Sequence, residues 1–119
     1  MPEETVSKTY NLEPRTYEFA KRCRDYVKQL PRTISNIEYG KQLIRSSGSQ
    51  AANYIEANEK LSQKDFVHRI KICRKESKEC ILWLKLSVPN PGDEAEQRAL
   101  IQEATELMKI FGSIYRKSE

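Results

Sequence analysis

Gln42-Leu43-Ile44-Arg45-Ser46-Ser47-Gly48-Ser49-Gln50-Ala51-Ala52-Asn53-Tyr54-Ile55-Glu56-Ala57 is the stretch on which the fold turns. Its centre, Ser46-Ser47-Gly48-Ser49, has the composition of a loop. The apolar phase argues against one. Ile37 and Ile44 before the centre continue as Ala51 and Ile55 after it, without a slip. The stripe Ile37, Ile44, Gly48, Ala51 and Ile55 therefore predicts one helix over 35–59, with Ser35 or Asn36 as its N-cap. Small residues at Ser47, Gly48, Ala51 and Ala52 would let a neighbouring helix approach closely, against a cost of about 1 kcal/mol for Gly relative to Ala. The alternative is a break at Gly48 and two short helices.

Three more helices flank this one. Pro14 suits a first turn and Glu13 its positive end. Ala20, Cys23, Val27 and Leu30 then recur at helical spacing until Pro31, predicting a helix over 14–30. Ser62 followed by Asp65 resembles a capping box and opens a helix over 62–87, whose face is Phe66, Ile70, Cys73, Ser77, Ile81 and Leu84. Val88-Pro89-Asn90-Pro91-Gly92 ends it. Asp93, Glu94 and Glu96 crowd the start of a fourth helix over 93–117, where the macrodipole favours them. Its stripe is Leu100, Ala104, Leu107, Phe111 and Ile114. No segment alternates with period two, so no strands are expected. Short connections favour antiparallel neighbours: an all-α, up-down four-helix bundle. Residues 1–12 lack a clear period and are expected to be a flexible arm, leaving 13–119 as a single domain.

Composition agrees with one small helical domain. The chain has 119 residues, 38% hydrophobic and 32% charged, too apolar for disorder. With 4 Gly and 5 Pro it has too few turn residues for a β-sandwich. Its longest apolar run, Cys80 to Leu84, cannot span a bilayer. The acidic start Met1-Pro2-Glu3-Glu4 is unlike a signal peptide, so a cytoplasmic protein is expected, with no membrane partner. Cys23, Cys73 and Cys80 make no disulfide framework. Cys73 and Cys80 would lie two turns apart, about 10.5 Å, which is too far to bridge. They read as core residues. His68 is the only histidine and no Cys-x-x-Cys occurs, so neither a metal nor a cofactor is implied. No Gly-rich phosphate loop, Gly-x-Ser-x-Gly or His-Glu-x-x-His is present, and an enzyme is not expected.

The net charge of +4 is unevenly placed. Residues 13–32 carry a net +3 and 62–91 a net +4, whereas 92–119 carry a net −2. On the third helix Lys64, His68, Lys71, Lys75, Lys78 and Lys85 fall within about 50° of one line, opposite the core stripe. Such a ridge can track phosphates, although most such ridges are solvated helix faces. Lys21, Arg24 and Lys28 supply the basic excess of the first helix. Together these residues are the candidate nucleic-acid contacts.

Two further lines bear on partners. Ile72 and Trp83 lie about 100° to 120° from the core line of the third helix, and Leu43 and Tyr54 are similarly placed on the second. They form either a wide core face or a subunit interface. Arg45, Ser49, Asn53 and Glu56 share one face of the second helix at spacings of four, four and three. Mid-helix Ser and Asn are not there for propensity; they are expected to hydrogen-bond a neighbouring helix or subunit. Arg45 and Glu56 are about 16 Å apart along the axis, so they cannot pair with each other within one chain.

The run from Gln42 to Ala57 resembles the signature helix of the bacterial four helix bundle protein family, also called the 23S ribosomal RNA intervening-sequence proteins. That family typically shows Arg-Ala/Ser-x-x-Ser-x-x-x-Asn-x-x-Glu-Gly, then a helix opening with Lys-x-x-Phe/Tyr. Lys64-Asp65-Phe66, Ile70-Lys71-Ile72 and Glu76-Ser77-Lys78-Glu79 are similar to its later segments. Ala57 replaces the usual Gly, which would prolong the helix by a turn. The resemblance covers about Tyr17 to Ile114. It implies an antiparallel bundle assembling as a homopentamer, with Arg45, Ser49, Asn53 and Glu56 as a structural or interface polar set. It assigns no activity. Some relatives are encoded within ribosomal RNA genes, and a related accessory protein of diversity-generating retroelements works with nucleic acid and a reverse transcriptase.

The expected function is therefore a non-enzymatic homo-oligomer that binds RNA or another nucleic acid through basic helix faces. The alternative is an oligomeric protein-binding scaffold or accessory protein without direct nucleic-acid contact. An enzyme using Arg45, Asn53 and Glu56 is the weakest reading.

Overall fold

The computed structural model describes residues 12–59 and 61–119. The described residues form four α-helices and no strand: α1 Glu13–Gln29, α2 Ile34–Ala57, α3 Gln63–Leu86 and α4 Glu94–Ser118, the last preceded by a 3-10 turn over Pro91–Asp93. The expected arm over 1–12 lies almost wholly outside these residues. Its last member, Leu12, belongs instead to the core at 2% exposure, and its carbonyl accepts from the Thr16 amide and hydroxyl.

α2 runs unbroken through Gly48. Its N-cap is Thr33, whose hydroxyl accepts from the Asn36 amide, rather than Ser35 or Asn36. Asn36 has another task. It is buried, its side-chain amide donates to the carbonyls of Pro31 and Val88, and its side-chain oxygen accepts from the Val88 amide. One side chain thus ties the α1–α2 and α3–α4 connections together. α2 ends at Ala57, so the replacement of the family's glycine adds no turn. The Asn58 side-chain amide reaches Glu13 at the start of α1. Ser62 caps α3, accepting from the Asp65 amide as its spacing predicts.

The helices form an antiparallel ring in which α1 packs on α2 and α4, α2 on α3, and α3 on α4. The backbones of the diagonal pairs do not approach. Core side chains come from all four helices. Phe19, Leu43, Ile70, Leu84, Leu100 and Phe111 are the largest, and Tyr54 packs against Phe111 across the core with ring centroids 5.8 Å apart.

The buried face of α2 differs from the predicted one. Its core-facing residues are Gly40, Leu43, Ser46, Ser47, Gln50, Tyr54 and Ala57. Ile44 and Ile55, predicted to be core, are 46% and 48% exposed, and a Cβ added at Gly48 would meet nothing within 4 Å. Leu43 and Tyr54 are accordingly core residues and not surface anchors. The reason is polar burial. Ser46, Ser47 and Gln50 occupy the core side with polar atoms bonded there: Ser46 accepts from Arg45, Ser47 donates to the Ile44 carbonyl, and the Gln50 amide donates to Ser77 at 2.6 Å, while its side-chain oxygen takes no hydrogen bond from the described residues. An apolar period cannot register such positions. The close helix approach occurs at Gly40, where an added Cβ would sit 2.8 Å from Val27 Cγ1.

Candidate nucleic-acid interface

Lys64, Lys71, Lys75, Lys78 and Lys85 are all exposed on the outer side of α3. None of them forms an ion pair with another described residue. Among Lys71, Lys75 and Lys78 lies an open depression of about 490 Å³, lined also by His68, Ile72, Arg74, Leu82 and the acidic Glu79. Its chemistry is a row of point charges on aliphatic stems, suited to phosphate oxygens. Leu82 and Leu86 are 47% and 41% exposed within this ridge, two apolar members that the sequence reading missed.

The basic residues of α1 do not join them. Lys21, Arg24 and Lys28 are exposed on the far side of α1, the helix diagonal to α3, and Arg24 is paired with Asp25 at 3.0 Å. The predicted contact set therefore divides between two corners of the bundle. The bundle interior separates them, so one surface cannot use both.

The acids of α3 are engaged on its flank towards α2, where Glu79 also borders the lysine depression. Arg45 of α2 donates to Glu79 at 2.9 Å and lies 3.6 Å from Glu76. Ser49 donates to Glu76 at 3.0 Å. Asn53 donates to the Ser49 carbonyl and hydroxyl, and accepts from Arg69 at 2.9 Å. Arg69 lies 3.6 Å from Asp65. Three members of the predicted polar set, Arg45, Ser49 and Asn53, thus form a ladder between α2 and α3 within one chain. Their partners Glu76 and Arg69 were not predicted, although both fall on the flank of α3 that faces this line. Glu76 is 4% exposed, and its Oε1 takes no hydrogen bond from the described residues. A buried carboxylate needs partners of this kind, because its desolvation costs on the order of several kcal/mol. Glu56 is exposed and its side chain takes no part in the ladder.

Three of the four acids of α4 are engaged too. Arg15 of α1 grips Glu103 through two bonds of 2.7 and 2.9 Å and reaches Glu106 at 2.8 Å. The hydrogen bond to Glu103 holds its guanidinium more firmly protonated. Arg22 pairs with Glu96 at 3.2 Å.

Trp83 is half-buried and stacks on Tyr39 of α2, with centroids 6.1 Å apart, and it packs against the core together with Ile81. Its ring is spent within the chain, whereas Ile72 stays half-buried beside the lysines. Cys23, Cys73 and Cys80 are free and buried. Burial pushes the thiols of Cys23 and Cys73 up to about 12 and that of Cys80 well above its ordinary value. Among the described residues no group of three or more His, Cys, Asp or Glu is arranged to hold a metal ion, and no helix is long and apolar enough to cross a membrane.

No curated protein is significantly similar to the chain. Among solved structures, one similar protein is a member of the S23 ribosomal protein family, of unknown function, from Bacteroides thetaiotaomicron VPI-5482. The two share 26% identity and a TM-score of 0.76, over 91% of this chain and 98% of the other. The sequence pattern of one family matches residues 9–113. That match spans all of α1, α2 and α3 and most of α4, and with it the chain belongs to the 23S rRNA-intervening sequence protein family.

Proposed function

We propose that this protein is a non-enzymatic homo-oligomer of the cytoplasm that binds RNA or another nucleic acid through the outer face of α3. One observation carries the reading. Lys64, Lys71, Lys75, Lys78 and Lys85 are exposed and take no counter-ion from the described residues, while Asp65, Glu76 and Glu79 of the same helix, the last of them bordering the lysine depression, are all held by arginines. The field that reaches solvent is therefore stronger than the formal charge suggests. The association of the family's name with 23S rRNA fits a polyanionic partner.

Self-association is supported by the outer side of α2. Ile44 and Ile55 are exposed there on either side of Gly48 and Ala52, a flat apolar strip that none of the described residues covers. Five copies is the assembly that the family resemblance implies. Arg45, Ser49 and Asn53 act as structure within this reading, bracing α2 against α3. A second reading, a scaffold for a protein partner, rests on the exposed Leu82 and Leu86 among the lysines, which suit an acidic amphipathic segment.

Purification with measurement of mass and of co-purifying nucleic acid, followed by titration with generic RNA across salt concentrations, tests the proposal. The expected result is an oligomer whose RNA affinity falls steeply with salt. Changing Lys71, Lys75 and Lys78 to Glu is expected to abolish binding with the helical content unchanged. Absence of binding at low salt, or indifference to these changes, moves the protein to the scaffold reading.

A further inference from the structure

Apart from the exposed Glu94 of its first turn, the acids of α4 lie towards one side. Its acids Glu96, Glu103 and Glu106 turn to α1, where Arg15 and Arg22 take them. Its flank towards α3 is marked by Gln97, which donates to the Leu84 and Ser87 carbonyls, and by Tyr115, which lies under Arg74. Advancing about 100° per residue, Arg98, Lys109 and Arg116 fall within about 20° of one line, about 100° to 120° beyond that flank, on the solvent face of α4 opposite its core stripe. All three are exposed, and none forms an ion pair with another described residue. Glu106, three residues before Lys109, borders this row, and the charge of Lys109 acts on it; Glu94 lies one turn before Arg98.

The two helices run antiparallel, with Gln63 bonded to the Ser118 carbonyl at one end and Gln97 to Leu84 at the other. That register sets Arg98 about level with Trp83, two residues short of Lys85, and Lys109 about level with Ile72, between Lys71 and Lys75. Arg116 meets Arg74 over Gly112, where an added Cβ would lie 3.4 Å from Arg116 Nη1 and 3.5 Å from Arg74 Cδ. The ridge on α3 is thus one of two neighbouring basic rows on adjacent helices.

We propose that α3 and α4 together form a two-row cationic groove that takes the sugar–phosphate backbone of a nucleic-acid duplex, with Arg98, Lys109 and Arg116 as its second row. The inference rests on the reading of α3 as a nucleic-acid surface and adds the second helix and the form of the ligand. Proteins that hold single strands stack bases on aromatic rings. Neither aromatic ring nearest the groove is open to a base: the guanidinium of Arg74 covers Tyr115 at 5.1 Å, and Trp83 is stacked against α2. Two rows of exposed cations without a stacking surface match two phosphate strands, read by position and not by base.

Fluorescence anisotropy decides it, using a short RNA duplex, a DNA duplex of the same sequence and the single RNA strand, each titrated across salt. Both duplexes are expected to bind, and the single strand more weakly. Changing Arg98, Lys109 and Arg116 together to Ala is expected to lower duplex affinity roughly tenfold or more, and to flatten the salt slope by about 0.9 for each phosphate that is no longer neutralised. The same change at Arg32, Lys41 and Lys117, exposed cations outside the groove, is expected to leave the slope near that of the wild type. Acetylation footprinting of the wild type needs no variant: bound duplex should protect Lys109 as well as Lys75 and Lys78, and leave Lys41 and Lys117 reactive. If the wild type binds no nucleic acid, the groove and the reading of α3 fall together. If it binds while the α4 variant matches the wild type, or Lys109 stays reactive, the groove is overturned and the α3 ridge stands. Tighter binding of the single strand overturns the duplex assignment alone.

Discussion

A single methyl group separates the roles of two glycines in α2. At Gly40 the added Cβ would meet Val27 Cγ1 at 2.8 Å, and the β-branched Val27 has little rotamer freedom with which to retreat. Gly40→Ala is expected to destabilise the protein by about 1–3 kcal/mol through overpacking of α1 against α2. At Gly48 the same Cβ meets nothing within 4 Å. Gly48→Ala is expected to stabilise dilute protein by about 0.5–1 kcal/mol, since Ala removes the entropic cost of Gly in a helix. Urea unfolding of the two variants measures both signs; equal shifts would contradict the packing described. Both residues are Gly in a helical stretch, and only the neighbouring helix tells them apart.

At the scale of elements, ion pairs sort the helices. α1 is tied to α4 by Arg15 and Arg22, and α2 to α3 by the ladder from Asp65 to Glu79. The amide of Gln102, and then Arg15, hold the Glu106 carboxyl below its ordinary value of 4.5. The charged form is favoured in the folded state, so its contribution is complete above that value and drains away as pH falls through the lowered one. Glu106→Gln is therefore expected to flatten the acid limb of the melting-temperature profile and leave the neutral plateau nearly unchanged. A profile that keeps its slope would remove Glu106 from the α1–α4 closure. The thiols behave oppositely. With Cys23 and Cys73 raised to about 12 by burial, their contribution is complete below the ordinary thiol value and is lost as pH climbs towards 12. At neutral pH an alkylating reagent is expected to label no cysteine until the bundle unfolds; mass spectrometry with and without urea reads this directly.

For the whole molecule, the surface most in need of cover is the outer strip of α2. Trp83 and Tyr54 are occupied inside the chain, and Leu43 is 1% exposed, so changes at those positions would damage the fold before they reported on assembly. Ile44→Glu with Ile55→Glu is the cleaner test. Helical content and melting should persist while the mass measured by light scattering falls to that of one chain. An unchanged mass would place any self-contact elsewhere.

The sequence by itself determined four helices, their order, the stops at Pro31 and at the segment Val88 to Gly92, the cap at Ser62 and the lysine ridge of α3. These follow from local chemistry: periodicity, the missing amide of proline, and capping groups within three residues of their targets. The tertiary structure decided which side of α2 is buried: Gln50 finds Ser77 on α3, and Ser46 and Ser47 are small enough to bury with their hydroxyls bonded within α2. It also decided which charges remain free. Glu76, Glu79, Glu96 and Glu103 are neutralised by arginines on adjoining helices, and Lys21 and Lys28 are carried to the corner opposite Lys75. Charge cancellation acts over a few ångströms in space, and positions far apart along a chain acquire such distances only when the helices pack.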